Sequence, residues 1–258
     1  MKTRSAVRRV LVSVALVVVT SSACTTHAGS AAQVGDEMIQ TSTLRGIVDR
    51  GMAAVQAAGP AQDAQTGQSA APIERSDLQR QVLTELVQTN LAEQRARQLG
   101  VTVTGQDVDA YYQTFGVLRY GSVAGFEKAV AQSGFAREDL QMLVRARALD
   151  LALADRLAPN ALASDADARE AYDQSVAQFG SLPLSFDQAR PFLTRLLSTE
   201  RAAAVEAQLR QISQRVNVSI NPRFGVWSAS QLTVLAAAGS VATTPAPEPL
   251  GGTGAMTQ

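Results

Sequence analysis

Two residues in this chain have side chains that react or titrate near neutral pH by type alone. They are Cys24, the sole cysteine, and His27, the sole histidine. A Ser-His-Asp triad or a Cys-His pair needs an imidazole held rigidly between a nucleophile and an orienting group. His27 lies in the small, polar run Thr25 to Ala31, which offers no such frame. A His-rich metal site has too few ligands, so neither a metal nor a cofactor is expected. The paired carboxylates Asp165/Asp167 and Glu138/Asp139 fall at helix starts, where capping and the helix dipole account for them. No GxGxxG or phosphate-binding P-loop is present. The chemistry left to the chain is modification of Cys24.

The residues before Cys24 give that modification a context. Lys2, Arg4, Arg8 and Arg9 precede an apolar run, Val10 to Val19, broken only by Ser13, and small residues follow. This is the pattern of an export signal, because the run is too short to cross a hydrocarbon core of about 30 Å as a helix. Ser21, Ser22, Ala23 and Cys24 resemble a bacterial lipobox, whose cysteine receives a diacylglyceryl group before cleavage in front of it. The motif usually has Leu or Val where this chain has Ser21, and small residues at Ser21 and Ala23 also suit ordinary signal peptidase. A lipid-anchored protein with residues 24–31 as its tether is therefore expected, with a secreted protein carrying an unmodified Cys24 as the alternative. Loss of residues 1–23 removes four cations from a balance of 23 against 23 and leaves a mildly acidic chain. Such a chain has no electrostatic reason to bind nucleic acid.

The remaining composition is helical in character. Hydrophobic residues make up 46% and aromatics only 5%, with Ala and Leu abundant. Thr41 or Ser42 can cap a helix through Leu44, Ile47, Val48, Met52 and Val55, ending near Gly59-Pro60. Residues 59–72 are small and polar, and predict a mobile loop. Ser76 with Gln79 reads as a capping box for the next helix, which ends at Gly100 and whose Glu85, Glu93, Arg95 and Arg97 read as a solvated face. Thr104 with Asp107 opens a helix through Tyr111, Tyr112 and Phe115, and a shorter one surrounds Phe126. Further helices carry Leu140 to Leu157, Ala171 to Phe179, and then a single long run from Ser185 through Ile212, with Pro191 suggesting a delayed start or kink. From Ser228 onward, Ala, Thr, Pro and Gly predict a disordered tail, residues 228–258.

Two stretches depart from the helical period. Val216, Val218 and Ile220 alternate with Asn217, Ser219 and Asn221, and a strand needs a partner for its backbone groups. The other strand-like stretch is Ala32 to Ile39, interrupted by Gly35-Asp36, so the two ends of the folded region are expected to pair antiparallel. Proline at Val218 is then expected to remove a ladder bond.

Five of the twelve aromatic residues cluster between positions 111 and 126: Tyr111, Tyr112, Phe115, Tyr120 and Phe126. Rings on short helices can line an apolar groove for unfolded segments, or pack a small helical core. Both readings stand at this level.

The order of elements resembles the SurA-type extracytoplasmic chaperones, especially actinobacterial lipoproteins with a SurA N-terminal domain. The resemblance is carried by AAQVGDEMI, LGVTVTGQDVDAYY, SGFAREDLQMLVRARAL, SDADAREAYDQSVAQF and FDQARPFLTRLLSTERAAAVEAQLRQISQRVNVSINPRFGVW, which span most of positions 32–227. It implies a mainly α, multi-helix chaperone domain of the SurA/trigger-factor-like kind, residues 32–227, closed by a short two-stranded antiparallel pairing of its N- and C-terminal segments. Relatives often insert a parvulin prolyl isomerase between the helix ending at Phe179 and the final long helix. Here only Gly180 to Leu184 intervene, where such a domain needs on the order of a hundred residues. The resemblance thus implies a non-enzymatic protein, anchored through Cys24 on the extracytoplasmic face of the cell membrane. Its partners would be unfolded or partly folded exported proteins, met through the aromatic cluster, and it would take no small-molecule substrate. The other functional class compatible with these features is an adaptor lipoprotein that docks one envelope partner.

Overall fold

A computed structural model describes residues 29–59 and 71–237. Cys24, most of the tether, residues 60–70 of the expected loop and the tail from 238 lie outside them. The order of elements is β1 (Ser30–Val34), β2 (Glu37–Gln40), α1 (Thr41–Ala58), α2 (Arg75–Leu99), α3 (Gly105–Tyr120), α4 (Val123–Gln132), α5 (Arg137–Leu157), α6 (Asp165–Phe179), α7 (Phe186–Leu196), α8 (Thr199–Arg215), β3 (Val218–Ile220), β4 (Val226–Ser228) and β5 (Thr233–Leu235). The fold is mainly helical, as expected.

The longest helix, α2, is the spine. Leu78, Val82, Leu83, Val87 and Leu91 are fully buried along it, at the three- and four-residue spacing of one helical face. They meet Leu44, Ile47 and Val48 of α1, Leu149 and Leu153 of α5, and Val205, Leu209 and Ile212 of α8 in one core. α1 approaches the turn after α4 so closely that a side chain at Gly51 would collide with the Gly134 carbonyl, which explains a glycine inside a helix there. α2 ends where Gly100 adopts the left-handed conformation, φ 67° and ψ 26°. Its start differs from expectation: Glu74 precedes the first turn with no side-chain cap, and Ser76 lies within the helix. α1 likewise begins at Thr41 after an uncapped Gln40, and the Thr41 N–H bonds to the Gly29 carbonyl at 2.7 Å.

The two ends of the folded region do meet. β1 is central in a three-stranded sheet of order β2-β1-β3, antiparallel throughout, with a tight turn at Gly35-Asp36 joining β1 to β2. β1 pairs with β3 in the register Ala32 to Ile220, Gln33 to Ser219 and Val34 to Val218. Bonds from Gly35 N–H to Asn217 C=O and from Asn221 N–H to Ala31 C=O, both 2.9 Å, bracket this ladder. Antiparallel strands bond at every second pair, so Gln33/Ser219 is the bonded pair between them, and the Val218 N–H points away from β1. The expectation for proline at Val218 is therefore corrected: the residue that donates into the ladder is Ser219.

Two further expectations change. The long C-terminal helix is two helices: α7 runs through Pro191 unbroken, and the chain breaks at Leu197-Ser198, where the Ser198 hydroxyl accepts the Arg201 N–H and starts α8. Residues 228–237, assigned above to a disordered tail, complete a hairpin of β4 and β5. It is fastened to α2 by Gln88, whose amide donates to the Leu232 carbonyl at 2.7 Å, and by Thr84, whose hydroxyl accepts the Val234 N–H at 2.9 Å. Leu232 and Val234 are buried beneath it. Two buried side chains and two side-chain bonds suffice to order so short a strand, although its Ala- and Thr-rich surroundings give little sign of them.

Candidate functional site

The aromatic residues sit on α3 and α4, which the Gly121-Ser122 turn folds against each other. The helix starts are local in origin. Thr104 and Asp107 form a reciprocal capping box at α3, and the Ser122 hydroxyl accepts the Gly125 N–H at α4. Gly116 lets α4 pack against α3, since a Cβ there would stand 3.2 Å from Val123 Cα. All five rings come together. Phe126 contacts Tyr112, Phe115 and Tyr120 at centroid distances of 5.9, 5.4 and 5.3 Å, and Tyr111 stacks on Phe115 at 5.3 Å. Phe192 of α7, absent from the expected set because it lies 66 positions beyond Phe126 in the sequence, closes edge-on against Tyr111 at 5.5 Å. Beneath them lie Leu140, Val144 and Ala148 of α5.

The cluster divides into an inner and an outer part. Tyr111 and Phe126 are 6% and 7% exposed and so present almost no surface to a ligand. Tyr112, Phe115 and Tyr120 are half-buried. Of the five expected residues, only these three keep a substantial exposed surface. Burial pushes the Tyr111 phenol up to about 12, and burial together with a hydrogen bond to Glu127 does the same for Tyr112. Both phenols therefore stay neutral across physiological pH. Tyr112 donates to Glu127 Oε1 at 2.6 Å, and Glu127 also pairs with Arg137.

A polar network borders the cluster at Tyr111. Arg147 of α5 donates to both Glu85 oxygens, at 2.7 and 2.8 Å, and to Asp150 at 3.2 Å. Glu85 is thus corrected from a solvated-face residue to one that ties α2 to α5. Asp139 likewise exceeds its expected role at a helix start, for its buried carboxylate receives the Arg50 guanidinium across from α1. Asp167 completes the capping box with Ser164 as expected, and Asp165 pairs with Arg190.

The acidity of Asp150 is displaced as well. Burial pushes its carboxyl up to about 6 from an ordinary 3.8, partly opposed by Arg147. A carboxyl with a raised folded-state pKa binds its proton more readily in the folded chain, so folding is favoured as pH falls from above 6 toward 4 and that advantage is absent at neutral pH. Thermal melts at about pH 7 and about pH 5 should show a stabilising component on acidification that Asp150→Asn lacks. Equal pH responses in the two proteins would show that Asp150 titrates normally.

The connection between α6 and α7 is short. Phe179 ends one helix, Phe186 begins the next, and the Tyr172 hydroxyl donates to the Leu184 carbonyl at 2.7 Å across the turn. Cys24, the expected acylation site, lies outside the described residues. Against known sequences, a family model described as the SurA-like N-terminal domain matches residues 2–149. A search of curated proteins found no match to the chain.

Proposed function

The chain belongs to the family of SurA-like N-terminal domains, a chaperone-type, non-catalytic class of domain, and on that premise we propose that it is a lipid-anchored holdase. It would bind unfolded or partly folded exported polypeptides outside the cell membrane. The observation that supports client binding is the half-buried row of Tyr112, Phe115 and Tyr120, held in place by the buried Tyr111 and Phe126. Rings so supported offer apolar area with little rotamer entropy left to lose, and apolar contacts of this kind tolerate many client sequences. The anchor would be a diacylglyceryl group on Cys24. Ser30, where β1 starts, follows that cysteine by six residues, a reach of at most about 20 Å, which would hold the sheet close to the membrane surface.

Aggregation of a denatured model protein tests the reading. The full chain at near-stoichiometric ratio is expected to suppress it, and Tyr112→Ala with Tyr120→Ala to weaken suppression while the fold persists. No suppression and no peptide binding would refute the proposal. Capture of one dominant stoichiometric envelope partner, in place of many unrelated clients, would favour the adaptor instead. Intact mass of membrane-fraction protein tests the anchor, which an unmodified Cys24 would rule out.

A further inference from the structure

The end of α5, the α5–α6 connection, α7 and the start of α8 line an open pocket of about 430 Å³. Three guanidiniums, Arg190, Arg195 and Arg201, line it against two carboxylates, Asp155 and Asp165, with Asp107 at the start of α3 acting on Arg195 from outside the lining. Arg201 is 2% exposed, donates to the Ala158 carbonyl at 3.0 Å and to Asp155, and keeps a buried Nε with no partner. It also occupies the first turn of α8, the end of a helix where the backbone dipole disfavours a cation. One carboxylate, Asp155, answers both Arg201 and Arg195. The surplus positive charge of the lining is thus fixed and partly shielded from water, while Arg195 and Arg190 carry the solvent-reaching donors, with side chains 37% and 48% exposed. Among the described residues, Arg195 Nη1 makes no hydrogen bond within the chain.

The pocket has an apolar wall as well. Leu162 is 53% exposed, more than any other large hydrophobic residue described, and stands beside Pro159 and Pro191. The connection that carries it is fixed to α7, because the Ala163 N–H donates to the Thr194 carbonyl at 2.9 Å. An exposed leucine on a tethered connection, next to these guanidiniums, fits a ligand that joins an anion to an apolar group within a few atoms. Asp155 takes the Nε/Nη2 edge of Arg195, which leaves its Nη1 side to meet a carboxylate.

We propose that this pocket binds a carboxylate bearing an adjacent apolar side chain, and that in the working protein this is the free C-terminus of a client polypeptide. The client part of this assignment rests on the holdase reading above; the carboxylate part does not. It would give the protein a second contact, at chain ends, separate from the aromatic row.

Fluorescence anisotropy with an N-terminally labelled pentapeptide ending in leucine, as free acid and as C-terminal amide, tests it on the full chain. The acid is expected to bind roughly tenfold tighter than the amide, the effect of one charge-assisted hydrogen-bonded pair. Arg195→Gln should abolish the difference, and Arg190→Gln, at a more exposed position with little influence on folding, should reduce it. Equal binding of acid and amide, or discrimination that survives both substitutions, overturns the assignment. N-acetyl-leucine binding as tightly as the peptide acid overturns the chain-end source, since a free small carboxylate would then be sufficient. The two proposals fail separately. Aggregation suppression without acid preference leaves the holdase standing and removes this site, whereas acid preference without suppression does the reverse.

Discussion

Replacing Asp155 with alanine should destabilise the protein far more than replacing its buried partner Arg201 with methionine. Among the described residues Asp155 is the only carboxylate that reaches Arg201, and without it a guanidinium at 2% exposure retains one carbonyl contact. Stranding a buried charge costs on the order of 3–5 kcal/mol. Here about 3 kcal/mol is expected, since Asp155 itself is 42% exposed and water can follow into the space it vacates. Methionine at Arg201 removes the charge and keeps most of the volume, while Asp155 remains paired with Arg195, so a change within about 1 kcal/mol is expected. Denaturant or thermal melts of the two variants check the asymmetry. Equal losses would mean that packing of the Arg201 stem, and not its charge, joins α5, α7 and α8.

Proline at Ser219 should open the seam between the two ends of the fold. The substitution removes the one donor that β3 contributes between the bracketing bonds at Gly35 and Asn221, and it leaves the Gln33 carbonyl without that partner. A lost hydrogen bond plus an orphaned acceptor amounts to about 2–4 kcal/mol. For a domain of this size the melting temperature should fall by roughly 5–15 °C. Proline at Val218, one residue away, is the control: its N–H points out of the ladder, so a clearly smaller loss is expected. If both prolines act alike, the register of β1 against β3 is wrong.

The same seam bears on how far the family match extends. The match ends at residue 149, inside α5, yet the fold does not divide there. β1 needs β3 as its neighbour, and α8 supplies Val205, Leu209 and Ile212 to the core built on α2. The residues after the matched region are structurally part of the domain.

Features held within a few residues were legible before any coordinates. The capping box expected at Thr104/Asp107 forms, and boxes also form at Ser164/Asp167 and Ser185/Gln188, each over three residues of backbone, whereas the one expected at Ser76/Gln79 does not, because α2 already begins at Arg75. The break at Ser198 was obscured by the continuous apolar stripe on either side of it. A signal was present in Ser198-Thr199-Glu200, a capping residue followed by an acid in the first turn. The hairpin at β4 and β5 was missed because three-residue strands carry almost no period, and it is held by Thr84 and Gln88 far upstream and by Arg210 and Ser213 of α8. The candidate sites were partly legible. The aromatic cluster is dense in sequence and dense in space, but which of its rings face solvent depends on α5 and α7 packing beneath them.

By itself the sequence determined the helical class, most helix boundaries, the antiparallel meeting of the two chain ends and the short link after Phe179. Each follows from backbone hydrogen bonding and side-chain period, which act over neighbouring residues or leave an obvious unpaired strand. Only the tertiary structure decided that Tyr111 and Phe126 are buried while Tyr112, Phe115 and Tyr120 are half-buried. It alone brought Asp155, Arg195 and Arg201 together from three helices into a pocket whose lining carries surplus charge. Burial and electrostatic imbalance are sums over neighbours in space, and residues 40 or more positions apart leave no trace of that sum in their spacing.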